Sequence, residues 1–362
     1  MFIKNITLEG YRNIDSLSLD LSPGVNVFLG DNAQGKTNII ESIWLFSAFK
    51  SFRTNEDRDM IMNGKESCRV RGRFESGERD YVCRIELSRI KRRQIDLNGI
   101  KVKPKEVLGK FTSVLFFPEH LTLIKGGPEL RRKFLDFSIC QIKPQFFDKL
   151  SEYSKIIAQR NRLLKSEMPD MGVLDVYDEK TAVLSALISK TRSTYCARLE
   201  EKAKPIMYEI SSGEEDLRLE YQSAEPEFSP EKMLLMLKNG RENDLRLGYT
   251  GCGAHKDDLC IYINGQDAKN FASQGQQRSC VMSMKLGEAQ LLNEMYGEYP
   301  LILFDDVFSE LDKNRKNYIT NKIKGKQVII TTCDGDFDFE NARIFRVKGG
   351  KAEVEKCSSM PE

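Results

Sequence analysis

The most informative segment of this 362-residue chain is Gly30-Asp31-Asn32-Ala33-Gln34-Gly35-Lys36-Thr37. It follows an apolar run at residues 25–29, which predicts a buried strand, and it precedes residues 38–46, which predict a helix. A glycine-bounded loop that ends in Gly-Lys-Thr between a strand and a helix is the pattern of a phosphate-binding loop, or P-loop. The bland alternative is a chance glycine-rich turn before a helix. The pattern favours a nucleoside triphosphate site in an α/β fold.

Each residue type in the P-loop has a chemical reason to be there. Gly30 and Gly35 let the backbone curl so that successive N–H groups point at phosphate oxygens. The Lys36 ammonium is expected to reach the β- and γ-phosphates, and the Thr37 hydroxyl to ligate Mg²⁺. The helix that starts near Lys36 adds its positive N-terminal end. The predicted nucleotide-binding residues of this segment are Gly30, Asp31, Asn32, Ala33, Gln34, Gly35, Lys36, Thr37 and Asn38.

Composition narrows the class of protein. The length suggests roughly two or three domains. The net charge is only +2, so any nucleic-acid-binding surface must be local. Mean hydropathy is −0.45, and no apolar run approaches the ~20 residues of a membrane span. The N-terminus does not resemble a signal peptide. With nine scattered cysteines and two histidines, we expect reduced thiols in a cytoplasmic protein and no Cys/His metal site.

Residues 68–102 predict a meander of antiparallel strands with basic side chains on its surface. Arginines at period two share one face of a strand, and a basic cluster and a second alternating stripe follow. Such charges are usually a solvated face, but they also suit a track for a phosphate backbone. The candidates for DNA contact are Arg69, Arg71, Arg73, Lys91, Arg92 and Arg93.

Residues 119–210 change character and predict helices. The periodicity indicates helices over 144–165 and 173–208, joined by a turn at 168–172. Two long helices with a short turn form an antiparallel hairpin, here an inserted arm. Strict heptads are not sustained, so a long coiled coil is not expected. The predicted apolar face of the first helix is Phe147, Leu150, Ser154 and Ile157; core candidates of the second are Val176, Val183, Leu184, Leu187, Ile188, Tyr195 and Leu199.

The second half of the predicted nucleotide site comes late in the chain. Residues 300–304 are apolar and lead into Asp305 and Asp306, as in a buried parallel strand that delivers carboxylates to its C-terminal end. Asp305 should hold Mg²⁺ through water, and Asp306 should orient and deprotonate the attacking water. Together with Lys36 these acids are the predicted catalytic residues. The strand at 327–332 ends in Thr331 and Thr332, whose hydroxyls could meet the γ-phosphate.

Three further segments have open interpretations. Ser273 is a plausible N-cap for a helix from 271 to about 295, whose start could receive a phosphate that need not sit on its own P-loop. Arg12 is either a solvated loop residue or lies over the base or phosphates of the nucleotide. His255, in a polar loop at 248–258, is either a satisfied loop histidine or part of a functional surface.

In this order along the chain, the motifs resemble the ABC-type ATPase heads shared with SMC proteins. The P-loop corresponds to Walker A, Ser273-Gln274-Gly275-Gln276 to the signature, Asp305-Asp306 to Walker B, and Ser309-Glu310-Leu311-Asp312 to the D-loop. A closer resemblance is to the bacterial RecF family. It rests on Gly-Tyr-Arg-Asn at 10–13, Phe-Phe-Pro-Glu-His at 116–120 and Ala-His-Lys-Asp-Asp at 254–258.

The resemblance implies an α/β fold. It would be an ABC-type P-loop ATPase head, with a mixed or parallel sheet plus an antiparallel β lobe and an inserted α-helical arm. Residues 1–118 and 211–348 would form the head, 119–210 the arm and 349–362 a polar tail.

The resemblance also implies a function. The chain would be an ATP- and Mg²⁺-dependent DNA-binding protein of recombinational repair, replication restart and the SOS response. It would recognise junctions of single- and double-stranded DNA and work with RecO and RecR to load recombinase. ABC-type heads dimerise around two ATPs, each held between one subunit's P-loop and the other's signature. Carried onto this chain, the signature residues Ser273, Gln274, Gly275 and Gln276 would face the partner's ATP, and Ser273, Gly275 and Gln276 would contact its γ-phosphate.

The same resemblance assigns the remaining site residues. Arg12 would match a base-side arginine, with Asn13 beside it, and Ser309 and Asp312 would belong to the D-loop. Asp306 replaces the glutamate of most ABC heads, and Thr331-Thr332 replaces their switch histidine. Both departures suggest slow ATP turnover, as in a weak DNA-stimulated ATPase that acts as a switch.

Two other functions share parts of this pattern. A nucleotide-binding subunit of a membrane transporter would have Walker A, signature and Walker B, but the helical arm and the Asp-Asp pair argue against it. A structural adaptor could bind ATP and barely hydrolyse it. Steady-state ATPase with and without DNA separates the adaptor from the main interpretation.

Overall fold

The structure is a computed structural model that describes residues 1–77, 79–308, 311–333, 339 and 341–355. Ser309 and Glu310 of the predicted D-loop, and residues 356–362 of the predicted tail, lie outside these. The chain separates into two compact units. The first comprises Met1–His120 and Lys285–Glu362, and the second Leu121–Met284. None of the helices in the described ranges has the length and apolarity that a bilayer crossing requires.

The strands are, in chain order, β1 (Phe2–Tyr11), β2 (Ile14–Asp20), β3 (Val25–Leu29), β4 (Ser67–Ser76), β5 (Arg79–Ser88), β6 (Gln94–Leu97), β7 (Ile100–Val102), β8 (Ser113–Phe116), β9 (Leu217–Gln222), β10 (Asp258–Ile263), β11 (Gln266–Asp267), β12 (Leu301–Asp305), β13 (Val328–Thr332), β14 (Arg343–Lys348) and β15 (Lys351–Val354). The helices are α1 (Lys36–Ala48), α2 (Pro104–Val107), α3 (Thr122–Lys125), α4 (Pro128–Ile142), α5 (Phe146–Leu164), α6 (Met171–Ile210), α7 (Pro230–Asn239), α8 (Arg241–Leu247), α9 (Ala268–Phe271), α10 (Gln274–Tyr296) and α11 (Lys313–Lys322). These bounds confirm the predicted helix–turn–helix at 144–208 and the predicted strands around the nucleotide site.

The first unit contains a sheet with the strand order β15-β14-β3-β13-β12-β8. Strands β14, β3, β13, β12 and β8 are mutually parallel, and only the edge strand β15 runs antiparallel. Strand β12 is buried along its whole length, as its continuous apolar sequence predicts for a parallel sheet covered on both faces. The order places the ends of β3, β13 and β12 side by side, where sheets of this kind bind ligands.

A second sheet of the first unit is antiparallel, with the order β2-β1-β4-β5-β6-β7, as the meander predicted. On β4, Cys68, Val70 and Phe74 are buried, and the arginines between them are exposed. Gly72 shares the buried face, where an added Cβ would lie 2.8 Å from the Phe46 ring of α1. Glycine at 72 therefore lets the P-loop helix pack closely on this sheet.

The second unit is built on α5 and α6, with the three-stranded sheet β11-β10-β9 packed beside them. Because β9 packs on α6, the residues from 211 to 284 group with the helices. The sequence instead suggested that the arm ends at 210 and that 211 begins the second part of the head. The first division, after His120, lies two residues from the predicted boundary at 118, whereas the second follows Met284 and not residue 210. The predicted domains themselves stay a prediction.

The predicted core faces of the two long helices were partly wrong. On α5 the buried side chains are those of Phe146, Tyr153, Ile156, Arg160 and Leu164, whereas Phe147 is 43% exposed. The true face is displaced by one residue and includes a charged arginine, which a hydrophobic pattern does not count. On α6, Leu184, Ile188, Tyr195 and Leu199 are buried as expected, but Val176, Val183 and Leu187 are exposed.

Arg160 is a fully buried cation that ties α5 to its neighbours. Its Nε donates to Asp178 Oδ1 on α6 at 2.6 Å, and its Nη1 donates to Asp244 Oδ2 on α8 at 2.7 Å. The same Nη1 reaches Thr250 Oγ1 at 2.9 Å. Arg241 donates to the second oxygen of Asp178 at 2.5 Å. The ions compensate one another, so removing one member leaves uncompensated buried charge.

We predict that Arg160→Met lowers the free energy of unfolding by about 3–5 kcal/mol, because Asp244 and Asp178 lose their main buried partner. Urea unfolding followed by circular dichroism measures this loss. The control is Lys133→Met, which breaks an exposed ion pair with Glu129 on α4 and should change stability little. Equal losses in the two variants would show that the buried ion pairs of Arg160 contribute no more to the free energy of unfolding than the exposed pair.

Candidate nucleotide-binding site

The P-loop leaves β3 and enters α1 through residues in left-handed conformations. Ala33 has φ 63° and Gly35, directly before α1, has φ 112°. An added Cβ at Gly30 would lie 2.3 Å from the carbonyl oxygen of Val347, so only glycine fits there. No side chain caps the start of α1 in the part of the chain that the structure describes. The first-turn N–H groups and the helix dipole therefore suit a phosphate, as predicted.

The Lys36 side chain is buried and curls back over the loop. Its Nζ donates to the carbonyl oxygens of Gly30 at 2.5 Å and Asp31 at 2.9 Å, and lies 3.2 Å from Cys333 Sγ. Cys333 in turn contacts Asn32 Oδ1 at 2.9 Å. The ammonium is thus held inside the loop, where a phosphate would meet it.

Asp305 lies at the end of β12 and is 5% exposed. Its Oδ1 accepts hydrogen bonds from Thr37 Oγ1 at 2.9 Å and from Thr331 Oγ1 at 2.7 Å. Burial raises the pKa of the Asp305 carboxyl above its usual range, although the two hydroxyls oppose that shift. The structure therefore brings Walker A and Walker B side chains into direct contact.

The Thr37 hydroxyl and the Asp305 carboxylate fit a magnesium ion. Both are hard oxygen ligands, and Mg²⁺ at nucleotide sites takes one or two protein ligands and completes its shell with phosphates and water. When bound, the ion would neutralise the charge of the phosphates. The residues of this chain would orient the ion and hold its ligands in place.

Thr331 links the two adjacent acids. Its hydroxyl donates to Asp305, and the same oxygen accepts the backbone N–H of Asp306 at 3.1 Å. Asp306 is held at φ 53°, in the left-handed region that aspartate adopts only occasionally. The single Thr331 proton is already donated, so in this arrangement Thr331 orients the acids. Its predicted contact with the γ-phosphate, and that of Thr332, stay predictions.

Arg12 is bound to the P-loop helix. Its Nε and Nη2 donate to the two carboxylate oxygens of Glu41 at 2.9 and 2.6 Å, and its Nη1 donates to the Asp59 carbonyl at 2.7 Å. Glu41 is fully buried in α1 and also accepts from Tyr11 and Ser51. Arg12 is therefore a braced residue beside the site, and its contact with a nucleotide stays a prediction. The role of Glu41 was not predicted from the sequence, although its position as a lone acid within the apolar run of α1 is a signal for it.

Asn13 and Asn38, both predicted to bind nucleotide, lie against the P-loop. Asn38 Nδ2 donates to Asn13 Oδ1 at 2.8 Å, and Asn13 Nδ2 donates to the Gln34 carbonyl at 3.3 Å. The N–H of Gly350, in the turn between β14 and β15, donates to that carbonyl at 2.9 Å. The turns at residues 12–13 and 349–350 thus support the loop from outside.

The signature residues lie in the second unit, at the start of α10. The Ser273 hydroxyl accepts the Gln276 N–H at 3.2 Å, and the Gln276 side chain accepts the Ser273 N–H at 2.9 Å. This reciprocal capping box confirms the predicted N-cap and rigidifies the helix start. Ser273 and Gln274 are exposed and Gly275 is half-exposed. In the first unit, Asp312 caps α11 by accepting the Arg315 N–H at 3.0 Å.

His255 is a satisfied histidine within its loop. Its Nδ1 lies 2.8 Å from Tyr153 Oη, and its Nε2 lies 3.0 Å from the Thr250 carbonyl oxygen. Because a carbonyl only accepts, Nε2 carries the proton and Nδ1 accepts from the tyrosine. Burial lowers the pKa of His255 below its usual range, which keeps the ring neutral.

The basic candidates for DNA contact lie on the antiparallel sheet of the first unit. Arg69, Arg71 and Arg73 project from the exposed face of β4, as their spacing predicted. Lys91, Arg92 and Arg93 lie in the connection from β5 to β6, where Arg93 Nε donates to Asp57 at 3.0 Å. Contact of any of these residues with DNA stays a prediction.

Comparison with known proteins gives consistent similarities. A family model described as RecF/RecN/SMC N terminal domain matches residues 2–356. The chain is 38% identical to the DNA replication and repair protein RecF of Clostridium perfringens, over 98% of this chain and 100% of that protein. It is 41% identical to RecF of Clostridium botulinum, over 97% of this chain and 99% of that one.

Solved structures agree. A structure of the recombination mediator protein RecF with ATP, described within the RecFOR pathway, superposes with a TM-score of 0.92 at 35% identity over 98% of this chain and 97% of that one. An SMC head bound to the C-terminal winged-helix domain of ScpA superposes with a TM-score of 0.57 at 15% identity over 98% of this chain and 97% of that one. The SMC likeness supports the predicted ABC-type ATPase head fold alone.

We predict that Asp305→Asn raises the unfolding temperature of the nucleotide-free protein at pH 7.5. The pKa of the Asp305 carboxyl is higher in the folded state than in the unfolded state. The stability that this shift contributes is therefore complete below the unfolded-state pKa and is lost as pH rises through the folded-state pKa. The gain from asparagine should therefore shrink as pH falls. Differential scanning fluorimetry across pH measures it, with exposed Asp20→Asn as the control. A lower unfolding temperature for Asp305→Asn at pH 7.5 would contradict the inference that the buried Asp305 carboxylate destabilises the nucleotide-free protein.

Proposed function

Because the chain belongs to the RecF/RecN/SMC N-terminal domain family and matches RecF proteins along its whole length, we propose that it is an ATP-dependent DNA-binding protein of recombinational repair and replication restart. The observation that carries the ATP dependence is the hydrogen bond from Thr37 to Asp305, which joins the P-loop to the end of β12. This pair, with Lys36 held in the loop, is the apparatus that a magnesium–triphosphate complex needs.

In this proposal ATP is hydrolysed slowly. Asp306 orients and deprotonates the attacking water. The Thr331 hydroxyl holds Asp306 in place by accepting its backbone N–H. Aspartate is one methylene shorter than the glutamate of most ABC heads, so it reaches the water less well. A slow hydrolysis step suits a switch whose ATP-bound state must last.

The ATP-bound state is a homodimer in this proposal. The exposed capping box at Ser273 presents the positive start of α10 to a second copy, whose P-loop carries the ATP. ATP would close the dimer into a clamp, DNA would lie across the joined heads or between the arms, and hydrolysis would release both.

The similarity to RecF proteins supports the proposed partners. The RecF structures are described within the RecFOR pathway, and we extend this to the present chain. It would recognise gapped DNA, where single and double strands meet, and help RecO and RecR to load recombinase there. Whether the protein holds DNA would depend on which nucleotide it has bound.

We predict that Ser273→Arg abolishes ATP-dependent dimers and leaves ATP binding by monomers intact, because the arginine blocks the partner's phosphate site. Light scattering with and without ATP measures the mass, and a fluorescent ATP analogue measures binding. The matched control is Ser229→Arg, which removes an equivalent serine N-cap from α7. Dimers that persist in Ser273→Arg, or that vanish equally in both variants, would contradict the shared site.

We predict that Thr331→Val lowers kcat for ATP about 10- to 100-fold, because the Asp305 carboxylate loses a hydrogen bond worth roughly 1.5–3 kcal/mol and the Asp306 N–H loses its hydroxyl acceptor. The KM for ATP should change little, since the loop stays intact. Thr331→Ser keeps the hydroxyl and should restore most of the rate. Steady-state phosphate release measures the split, and a valine variant as fast as the serine variant would remove Thr331 from the site.

A further inference from the structure

The register of the antiparallel sheet sorts its surface charges into rows. Residues directly opposite each other on neighbouring strands share a face and interact. One row crosses the sheet through Thr7 on β1, Arg71 on β4, Arg84 on β5, Asp96 on β6 and Lys101 on β7. We call this the Arg71 row. It contains three cations and one acid.

The neighbouring row through Arg69 is different because acids flank the arginine on both sides. Arg69 lies opposite Glu9 on β1 and Glu86 on β5. Its Nη1 is 2.9 Å from Glu9 and its Nε 3.6 Å from Glu86. The positive charge of Arg69 is therefore neutralised within the sheet.

Arg73, on the other side, is also paired. Its Nη2 lies 3.0 Å from Asp80 Oδ2, and the other oxygen of Asp80 accepts from Lys4 at 2.9 Å. Two of the three arginines that the sequence placed on one face thus already have carboxylate partners.

Arg71 faces another cation instead. It lies opposite Thr7 on one side and Arg84 on the other, and it makes no ion pair with any residue that the structure describes. Within the described ranges, the one ion-pair contact of Arg84 is a long one with Asp96, at 3.7 Å. Like charges directly opposite each other destabilise a sheet, unless an anion lies between them.

These side chains line an open depression of about 550 Å³ on the sheet surface. Thr7, Arg69, Arg71 and Arg84 contribute polar groups, and Glu9 and Asp96 are the carboxylates of the lining. The lining contains no aromatic side chain, so a base would have nothing to stack on. The chemistry suits a sugar–phosphate backbone.

We propose that Arg71 and Arg84 together bind one backbone phosphate of DNA, and that Lys101 contacts the same strand farther along. This rests on the proposed DNA-binding function and identifies which arginines serve it. Arginine matches phosphate with two donors, and two opposed guanidinium groups provide a fork from each side. Neighbouring strands are about 4.8 Å apart, so Lys101, three strands from Arg71, lies about 14 Å away along the row.

The test measures the affinity of a fluorescently labelled gapped duplex by anisotropy, with ATP, over a range of salt concentrations. Arg71→Gln should weaken binding about 3- to 10-fold near 0.1 M salt and reduce the salt slope by at most about one, because Arg84 remains on the shared phosphate. Arg84→Gln should do the same. Arg73→Gln should lose at least threefold less, because its charge is already paired. Arg218→Gln, on β9 and paired with Glu220, is the control that should leave affinity unchanged.

A second readout separates the phosphate site from a structural role. Arg71→Gln relieves a like-charge pair, so its unfolding temperature without DNA should stay the same or rise, whereas Arg73→Gln breaks an ion pair. If the full chain binds DNA and Arg71→Gln and Arg73→Gln lose equal affinity, the Arg71 row is not the phosphate site. If the unaltered chain binds no DNA, the proposed function fails and the phosphate site fails with it. Inorganic phosphate is then added as a competitor. Displacement of the duplex only through ionic strength supports a site for the DNA backbone, and specific displacement at low phosphate concentration overturns the proposal.

Discussion

The hydrogen bonds that Thr37 and Thr331 donate to one oxygen of Asp305 are the contacts on which the nucleotide site depends. They exist because β13 lies between β3 and β12, so three parallel strands end side by side. A carboxylate buried in this way is costly, and its raised pKa reflects that cost. In the proposed function this cost is accepted because a metal–triphosphate complex would need a preformed anionic ligand. Stability is thus lower at the place where binding is proposed.

Around this contact the fold builds a rigid frame from distant parts of the chain. Glu41 binds Arg12 from the first hairpin, and Gln34 accepts a hydrogen bond from Gly350 in the last. The two ends of the first unit therefore both hold the P-loop. A loop supported in this way loses little conformational freedom when a phosphate binds, which favours binding. The same frame explains why the buried acid Glu41 is tolerated in α1, because its carboxylate accepts hydrogen bonds from Arg12, Tyr11 and Ser51.

Charge is organised by pairing across the whole molecule. In the second unit, Arg160 is compensated by acids from two helices and is wholly buried. On the antiparallel sheet, Arg69 and Arg73 are neutralised, whereas Arg71 has no ion-pair partner within the described ranges. With a net charge of +2, electrostatic attraction for a polyanion depends on local excesses of this kind. Steering of DNA would therefore depend on a few cations and fall steeply with salt.

Features that are local in the chain could be predicted from the amino-acid sequence: the P-loop, the strand ending in Asp305, the N-cap at Ser273, the long helices and the exposed stripe of β4. These depend on residues close together in the chain, whose spacing encodes backbone geometry directly. The folded structure was needed to find the buried face of α5, the partners of Arg12 and Thr331, and the arginine of the stripe that has no ion-pair partner among the described residues. Each of those depends on strand register or helix packing between residues far apart in sequence. A pattern of polar and apolar letters cannot show that a buried position is filled by Arg160, or that Arg71 faces Arg84.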